Sequence, residues 1–473
     1  MPDPLWSLTA TAMTDMLTQG DVSPCDVLDA IETRVASVNA TVNALPTLCF
    51  ERARGAAAAL ESRPPSERGP LAGLPIPIKD SYEVEGVRTT WGSLAYADHI
   101  PTHSDYLVEA IERCGGVVFA KSNTPEFEAG ANTFNDVFGR TLNPWDLTLS
   151  AGGSSGGAAA AVATGMAFVA QGSDFACSLR YPAAFCGIVG LRPSPGLIPQ
   201  GPSRLPHQVL SVIGPLARNV EDVALALDGM VSFDHRDPLT RPIHRDTYRA
   251  AAREPLRPAA CAFSMTLGLA AVSQDVTASV MRAIQCLALA GLEIAEPAVD
   301  LRATDACFRT LRAYQFAVLR RDALTLHRDK LKPEVIWNIE EGLKLTALAL
   351  GEAEAARAVL RTAFLELLDA HEFLIAPTAP VAPFPVTDRY VTSIDGAEQE
   401  TYLDWLALGY AITVMGCPAI SIPCGFTAHG LPVGLQIIGK PYDEHKLLRM
   451  ARWCEDVLQV KMDRPITPRK TAA

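Results

Sequence analysis

The sequence predicts an α/β protein, in which helices alternate with strands that form a sheet. In the first half of the chain, segments with apolar residues at helical spacing alternate with short runs rich in Ile and Val. The second half contains longer helical patterns and then returns to strands. Functional residues of such proteins are expected on loops at strand ends.

The N-terminal residues, about 1–65, are predicted to be helical. Ser23 offers a hydroxyl cap and Pro24 suits a first helical turn, and apolar residues then recur at helical spacing in CDVLDAIETRVASV. The next pattern, LAGLPIPIKDSYEV, is short and rich in Ile and Pro, which is typical of a strand that enters a loop. Lys79 falls at the end of that strand.

The remaining elements follow from the same patterns. The sequence predicts a glycine-terminated helix in SDYLVEAIERCGG, a buried strand in VVFAKSN, a turn in TLNPWDLTLS and a helix that ends at Gly165. Later helices are expected in SQDVTASVMRAIQCLALAG, around 303–330 and in EAEAARAVLRTAFLELLDAH. The last strands are expected in FLIAP, AISIPCGF and GLPVGLQIIGK, before an amphipathic helix from about Glu444.

Composition limits the class of protein. The 473 residues are 48% hydrophobic and 20% charged, which is enough apolar material for a buried core. The Pro-rich stretches near residues 65 and 380 are short, so a single domain over 1–473 is expected. The net charge is −12 and basic residues are scattered, which disfavours nucleic-acid binding.

Targeting, membrane and metal signals are weak. The N-terminus has neither the basic start nor the apolar run of a signal peptide, and no apolar stretch reaches the ~18 to 20 residues of a membrane span. A cytoplasmic protein that does not contact membranes is therefore predicted. The 11 cysteines lack C-x-x-C pairs and neighbouring histidines at ligand spacing, so neither disulfides nor a metal site is expected.

The segment AGGSSGGAAAAVATG admits several interpretations. A phosphate-binding loop would need a lysine after the glycines, and there is none. Gly152, Ser154 and Gly156 satisfy the G-x-S-x-G pattern of a nucleophile elbow, but the preceding residues do not resemble a hydrophobic strand. A tight turn without chemistry also fits the segment taken alone.

Further motifs resolve the choice, because GGSSGG is followed by GSDFACSLRYPA and then GLRPS. Together with GLPIPIKD, AKSNTPEFE and CPAISIPCGF, these motifs resemble the amidase signature family over nearly the whole chain. The resemblance implies the amidase signature fold, with a central mixed β-sheet covered by helices on both faces. It also implies a signature core at about 66–225, a more variable helical region at about 300–410 on the substrate side, and an assembly that is often dimeric.

The resemblance also assigns catalytic roles. Ser178 matches the nucleophile, Ser154 the bridging serine after a cis peptide bond to Gly153, and Lys79 the base. A serine hydroxyl must lose its proton to a positioned base, and a lysine can accept it only when burial disfavours its charge. The implied oxyanion hole consists of backbone N–H groups of Phe175, Ala176, Cys177 and Ser178. Structural support is expected from Asp174, Arg180 and Ser155.

This sequence departs from the family pattern before the nucleophile. Many members have two glycines where this chain has Ala176 and Cys177, and a positive φ at either residue would strain a side chain. Cys177 could narrow the oxyanion hole, alter substrate choice or, as a further alternative, act as the nucleophile itself. Nothing near it in sequence would lower the pKa of its thiol.

Other candidate residues are weaker. Lys121 could serve as a base, but strand-end lysines are usually solvated or structural. His207 lies in a loop and is expected to be inert. Glu126 and Glu128 are interpreted as exposed loop charges rather than a glycosidase pair.

The predicted function is cofactor-free hydrolysis of a carboxylic acid amide to a carboxylate and ammonia or an amine through an acyl-enzyme. A carbamate (urethane) or ester hydrolase with the same residues is the first alternative. The amidase-type component of a tRNA-dependent amidotransferase and a binding module on an inactive scaffold are less favoured. The expected partner is a small-molecule substrate, and a homodimer is allowed. The candidate substrate-pocket residues are Phe127, Ala129, Gly130 and Trp337.

Overall fold

The computed structural model describes residues 3–242, 246–460, 462 and 464–469. Within these residues the α-helices are α1 (Ala10–Gln19), α2 (Pro24–Val42), α3 (Phe50–Glu61), α4 (Tyr106–Arg113), α5 (Gly156–Ala163), α6 (Arg180–Cys186), α7 (Val220–Asp228), α8 (Tyr248–Ala252), α9 (Gln274–Leu289), α10 (Thr304–His327), α11 (Pro333–Leu343), α12 (Ala347–His371), α13 (Ala407–Met415) and α14 (Glu444–Leu458).

The strands of the described residues are β1 (Thr47–Leu48), β2 (Pro75–Lys79), β3 (Val117–Ser122), β4 (Phe134–Asn135), β5 (Gly139–Arg140), β6 (Leu142–Asn143), β7 (Asp146–Ser150), β8 (Val169–Asp174), β9 (Val189–Arg192), β10 (Val212–Ala217), β11 (Ala260–Phe263), β12 (Glu293–Ala295), β13 (Leu374–Pro377), β14 (Ser393–Ile394), β15 (Ala397–Glu398), β16 (Ala419–Phe426) and β17 (Pro432–Ile438).

Eight of these strands form one central sheet in the order β12-β11-β13-β17-β16-β9-β10-β8. The strand β11 runs parallel to both of its neighbours. All other neighbouring pairs in this sheet are antiparallel. The predicted α/β fold with a mixed central sheet is therefore confirmed.

Helices pack on this sheet through short or apolar side chains. The helix α6 contacts β9, β16 and β17, whereas α9 and α14 contact β16 and α5 contacts β8. Every residue of α5 is buried. A Cβ added at Gly157 would lie 2.3 Å from the backbone nitrogen of Asn123, so only a glycine permits this approach. The run of small residues thus lets α5 lie deep in the fold.

A second, three-stranded sheet holds the strand that carries Lys79. It has the order β1-β3-β2, with β2 parallel to β3 and Lys79 opposite Ser122. The strand β2 also contacts β8 of the central sheet. The end of β2 therefore meets the end of β8, which leads into the segment that contains Ser178.

Most of the elements expected from sequence are present. The helix that begins at Pro24 has the predicted hydroxyl cap at Ser23, and Asp26 completes a capping box by binding the backbone N–H of Ser23. Residues 146–150, predicted as part of a turn, form instead the strand β7, which pairs with β6.

In the described part of the chain, no helix combines the length and the apolar character that crossing a membrane requires. The single domain over 1–473 stays a prediction.

Candidate active site

The amine of Lys79 lies at the centre of a buried hydrogen-bond network. Its side chain has no exposed surface. Nζ lies 2.7 Å from Ser154 Oγ, 2.9 Å from Ser173 Oγ and 2.7 Å from Glu128 Oε1. The backbone N–H of Lys79 donates to Gln171 Oε1 at 2.9 Å, which ties the end of β2 to β8. The structure thus brings Lys79 and Ser154 together.

Burial and charge act on this lysine in opposite directions. Burial lowers the pKa of Lys79, and the neighbouring carboxylate of Glu128 opposes that shift. Burial would raise the pKa of Glu128, but Lys79 and the hydroxyls of Ser173 and Ser81 hold the pKa at about 2. The hydroxyls of Ser173 and Ser81 donate to Glu128 Oε1 at 2.5 Å and 3.0 Å. Glu128 is therefore ionised at neutral pH.

Ser154 occupies the loop before α5. The peptide bond between Gly153 and Ser154 is cis, as predicted. The hydroxyl of Thr133 donates to the carbonyl of Gly152 at 2.8 Å and accepts from the N–H of Gly156 at 3.1 Å, so one side chain fixes both ends of the loop. Among the described residues, Ser154 Oγ has no hydrogen-bond partner other than Lys79.

Ser178 lies beside this pair without being linked to it. Its side chain is almost buried, and its carbonyl accepts from the N–H of Ser155 at 3.2 Å. Ser155 Oγ in turn bonds to the backbone of Ser173. Within the described part of the chain, no hydrogen bond joins Ser178 Oγ to Ser154 Oγ. Of the three predicted catalytic residues, two are in contact and the third is held in the adjoining segment.

The segment 175–178 exposes unused backbone donors. Its four N–H groups donate to no acceptor among the described residues. Arg180 donates to the carbonyl of Ala176 at 2.7 Å. Because the C=O and N–H of a trans peptide point in opposite directions, the N–H of Cys177 points away from Arg180. Such a row of free donors suits a developing oxyanion.

A buried ion-pair network holds this segment. Asp174 and Arg180, both without exposed surface, lie 3.0 Å apart, and Asp174 also accepts from the N–H of Leu179 at 3.1 Å. Arg192, which the sequence analysis did not identify, adds a further ion pair at 3.3 Å and donates to the carbonyl of Asp174 at 2.5 Å. Arg192 is the arginine of the GLRPS motif, and that motif could have identified it.

Cys177 fits without backbone strain. Neither Ala176 nor Cys177 has a positive φ. A Cβ added at Gly409 on α13 would lie 2.5 Å from Cys177 Cβ, so that glycine makes room for the cysteine. Burial raises the pKa of the Cys177 thiol, which keeps it protonated.

A cavity of about 330 Å³ adjoins the network. Its walls include two residues of the network, Ser81 and Glu128, and several aromatic rings. The aromatic residues that line it are Tyr82, Trp91, Phe127, Phe175 and Phe316. Arg320 also lines it, with its guanidinium 4.6 Å from the centre of the Phe127 ring.

Only one of the four predicted pocket residues, Phe127, lines this cavity. The carbonyl of Ala129 is bound by Lys332 Nζ, and the chain turns at Gly130, where φ is +112°. Trp337 packs edge-on against Tyr402 with the ring centres 6.0 Å apart. These three residues therefore lie off the cavity wall.

The interpretation of Glu126 and Glu128 as exposed charges is wrong. Glu126 is 4% exposed and accepts from Ser93 Oγ at 2.6 Å and from the N–H of Lys332 at 2.7 Å. The side chain of Glu128 is 24% exposed, and its Oε1 contacts Lys79 from a residue with a left-handed backbone, at φ of 61°. No residue pattern indicated this turn, since Glu rarely adopts that conformation.

The remaining alternatives lie apart from the network. Lys121 is fully buried and binds the carbonyl of Tyr82 and the hydroxyl of Thr89, both at 2.6 Å. His207 is exposed. Among the described residues, no three His, Cys, Asp or Glu side chains are grouped closely enough to hold a metal ion.

Comparison with known proteins identifies the family. Residues 26–448 match the family model described as Amidase. This chain belongs to the amidase family. As an amidase signature enzyme it is a hydrolase that acts on amide C–N bonds, which confirms the predicted class of reaction.

Individual relatives match nearly the whole chain. An acylamidase of Rhodococcus erythropolis is 34% identical over 450 residues, covering 94% of each chain. One subunit of the glutamyl-tRNA(Gln) amidotransferase of Moorella thermoacetica is also 34% identical, covering 98% of this chain and 99% of the relative. The solved structure of a 6-aminohexanoate cyclic dimer hydrolase with substrate has a TM-score of 0.87 at 27% identity and covers 99% of both chains.

Proposed function

We propose that this amidase hydrolyses its substrate through an acyl-enzyme on Ser178, with Lys79 as base and Ser154 as the proton relay. The observation that carries the proposal is the fully buried Lys79 amine, 2.7 Å from a Ser154 hydroxyl that has no other partner among the described residues. A desolvated amine next to a hydroxyl can take up the proton that a serine nucleophile releases.

The first half of the reaction forms the acyl-enzyme. The Ser178 side chain turns toward Ser154, its Oγ attacks the amide carbonyl carbon, and its proton passes to Ser154 as the Ser154 proton passes to Lys79. The oxyanion accepts hydrogen bonds from backbone N–H groups of residues 175–178, which have no other acceptor among the described residues. The C–N bond then breaks, and the proton returns through Ser154 to the leaving nitrogen.

In the second half of the reaction, water replaces Ser178 as the nucleophile. Water attacks the acyl carbon and gives a proton to Lys79 through Ser154. The bond to Ser178 Oγ breaks, Oγ recovers a proton from the same relay, and a carboxylic acid leaves. No cofactor takes part in either half.

The cavity supports a neutral amide with an aryl or other large apolar group as substrate. The aromatic rings of Trp91, Phe127, Phe175 and Phe316 line one part of it, beside polar residues such as Gln315. Such rings bind apolar groups through buried area and edge-to-face contacts. The similarity to an acylamidase agrees with this choice. Carbamates and esters carry the same acyl carbon, so the same residues could cleave them.

The test compares an aryl amide, the matching ester and the matching carbamate with the purified chain. We expect hydrolysis of the amide and covalent labelling by a fluorophosphonate, with both lost in Ser178→Ala. Ser37→Ala, which alters an exposed serine on α2, is the control and should retain both. Undiminished turnover by Ser178→Ala would contradict the proposal, and the ratio of the three rates would identify the preferred substrate.

The similarity to a component of an amidotransferase supports a second candidate, in which the chain releases ammonia from glutamine for a partner. That function predicts a preference for glutamine and a dependence on other protein chains. Hydrolysis of an aryl amide but not of glutamine by the isolated chain would exclude it.

A further inference from the structure

We propose that Glu128 is a positioning residue of the hydrolytic site, which directs the lone pair of Lys79 toward Ser154 and sets the pH at which Lys79 becomes a base. This inference rests on the proposed function of Lys79. It starts from the 2.7 Å contact between Glu128 Oε1 and Lys79 Nζ.

Hydrogen-bond counting supports the directing role. The Ser173 hydroxyl donates to Glu128, so toward Lys79 it acts as an acceptor. Glu128 is an ionised carboxylate, which only accepts. A neutral amine has two N–H donors and one lone pair, and these two acceptors use both donors. The lone pair is then left for the O–H of Ser154, which is the proton that Lys79 must take.

The contact between Glu128 and Lys79 involves an unusual backbone conformation. Phe127 and Glu128 both have positive φ, at 45° and 61°. A left-handed backbone is strained for residues other than glycine and persists only where the surrounding structure holds it in place. The hydroxyls of Ser81 and Ser173 and the amine of Lys79 all bind the same oxygen, Oε1, and supply that fixation.

The charge of Glu128 has a separate effect. A carboxylate beside an amine favours the ammonium form, so Glu128 keeps Lys79 protonated to higher pH than burial alone would. Other groups also act on the pair. Asp174 and the Cys177 thiol face Lys79, while Tyr82 and Arg320 face Glu128. Asp174 is itself paired with Arg180 and Arg192, whereas Glu128 is the carboxylate in direct contact with the Lys79 amine.

Two variants separate direction from charge. Glu128→Gln keeps an oxygen that can accept from Lys79 but removes the charge. Glu128→Gly removes both, and a glycine suits the left-handed backbone at this residue, so the variant is expected to fold. Glu126→Gln is the matched control, because Glu126 lies two residues away in the same turn and binds Ser93 and Lys332 instead of Lys79.

The readout is the rate of Ser178 labelling by a fluorophosphonate between about pH 5 and pH 10, beside amide hydrolysis. In labelling, Ser178 Oγ bonds to phosphorus, the P–F bond breaks, fluoride leaves and the proton passes to Lys79. The rate should rise with pH as Lys79 loses its proton. In Glu128→Gln this rise should shift to lower pH by about 1 to 3 units with the plateau kept. In Glu128→Gly it should shift likewise while the plateau falls about 10- to 100-fold.

Each other outcome has a defined meaning. A rise at unchanged pH in both Glu128 variants, an equal shift in Glu126→Gln, or no rise in the unaltered chain would overturn the role of Glu128. If the unaltered chain is neither labelled at Ser178 nor active on any amide, the proposed function fails instead. Unfolding midpoints of all variants, measured in parallel, identify any rate change that comes from loss of folded protein.

Discussion

Lys79 and Lys121 occupy closely similar places in the fold and have different partners. They lie on the adjacent parallel strands β2 and β3, where Lys121 is paired with Ile78, the neighbour of Lys79. Both side chains are fully buried and each has a carboxylate nearby, at 2.7 Å for Lys79 and at 3.5 Å, from Asp80, for Lys121. Burial lowers the pKa of both amines. Burial and a neighbouring acid therefore do not identify the base.

The two lysines differ in whether a hydrogen-bond partner can donate a proton to the amine. Lys121 is bound by the carbonyl of Tyr82 and the hydroxyl of Thr89, and that hydroxyl donates to the carbonyl of Val87. Asp80 is a third acceptor, so all three partners of Lys121 accept hydrogen bonds. An ammonium group, which has three N–H donors, therefore suits this site. The hydroxyl of Ser154 is free to donate to Lys79. We therefore expect a buried lysine to act as a base where one hydrogen-bond partner can donate a proton to it.

The largest expected effect is on activity, from Lys79→Met, which keeps an unbranched side chain up to the ε position and removes the amine. Loss of a general base typically costs about 10²- to 10⁴-fold, and we expect a fall of that size in kcat for an aryl amide. Initial rates with the purified variant and circular dichroism of the same sample provide the measurement. Retained turnover in a folded Lys79→Met protein would remove Lys79 from the chemistry.

The next effect is on stability, from Lys121→Met. This change leaves Asp80 buried without its cation, and breaking a buried pair in this way costs about 3 to 5 kcal/mol. Urea unfolding should show that loss, while the turnover per folded molecule stays close to that of the unaltered chain. The double variant Asp80→Asn with Lys121→Met should lose less than Lys121→Met alone. If Lys121→Met lost as much activity as Lys79→Met, the inferred difference between the two lysines would be wrong.

Much of the fold could be predicted from the sequence, as could the contact between two candidate site residues. Helical spacing and caps placed α2 and α9, and the ordered motifs identified Lys79 and Ser154, which the fold brings into contact. The contact between Glu128 and Lys79 could not be found in the same way, because it involves a left-handed backbone that no residue pattern indicates. The strand β7 was missed because pairing with β6, rather than its own composition, makes it a strand.

A smaller effect is expected from the hydroxyls that accept from each lysine. Ser173→Ala removes an acceptor from Lys79 and a donor from Glu128, so we expect kcat to fall about tenfold, in line with one lost hydrogen bond to a charged group. Thr89→Val, the matched change beside Lys121, should lower the free energy of unfolding without lowering kcat. Equal kcat losses in the two variants would show that general disturbance of the β2–β3 pair, not proton transfer, controls the rate.

The smallest effect is expected from Cys177→Ala, which tests whether a thiol rather than the lysine and its serines performs the chemistry. Burial raises the pKa of this thiol, so it stays protonated and poorly nucleophilic at neutral pH. Its side chain packs against Gly409, and an alanine keeps the Cβ of that contact. We therefore expect a loss of about 1 kcal/mol in stability and a kcat close to that of the unaltered chain. If Cys177→Ala were as inactive as Lys79→Met, the thiol would be the nucleophile, and the proton path from Ser178 through Ser154 to Lys79 would have to be abandoned.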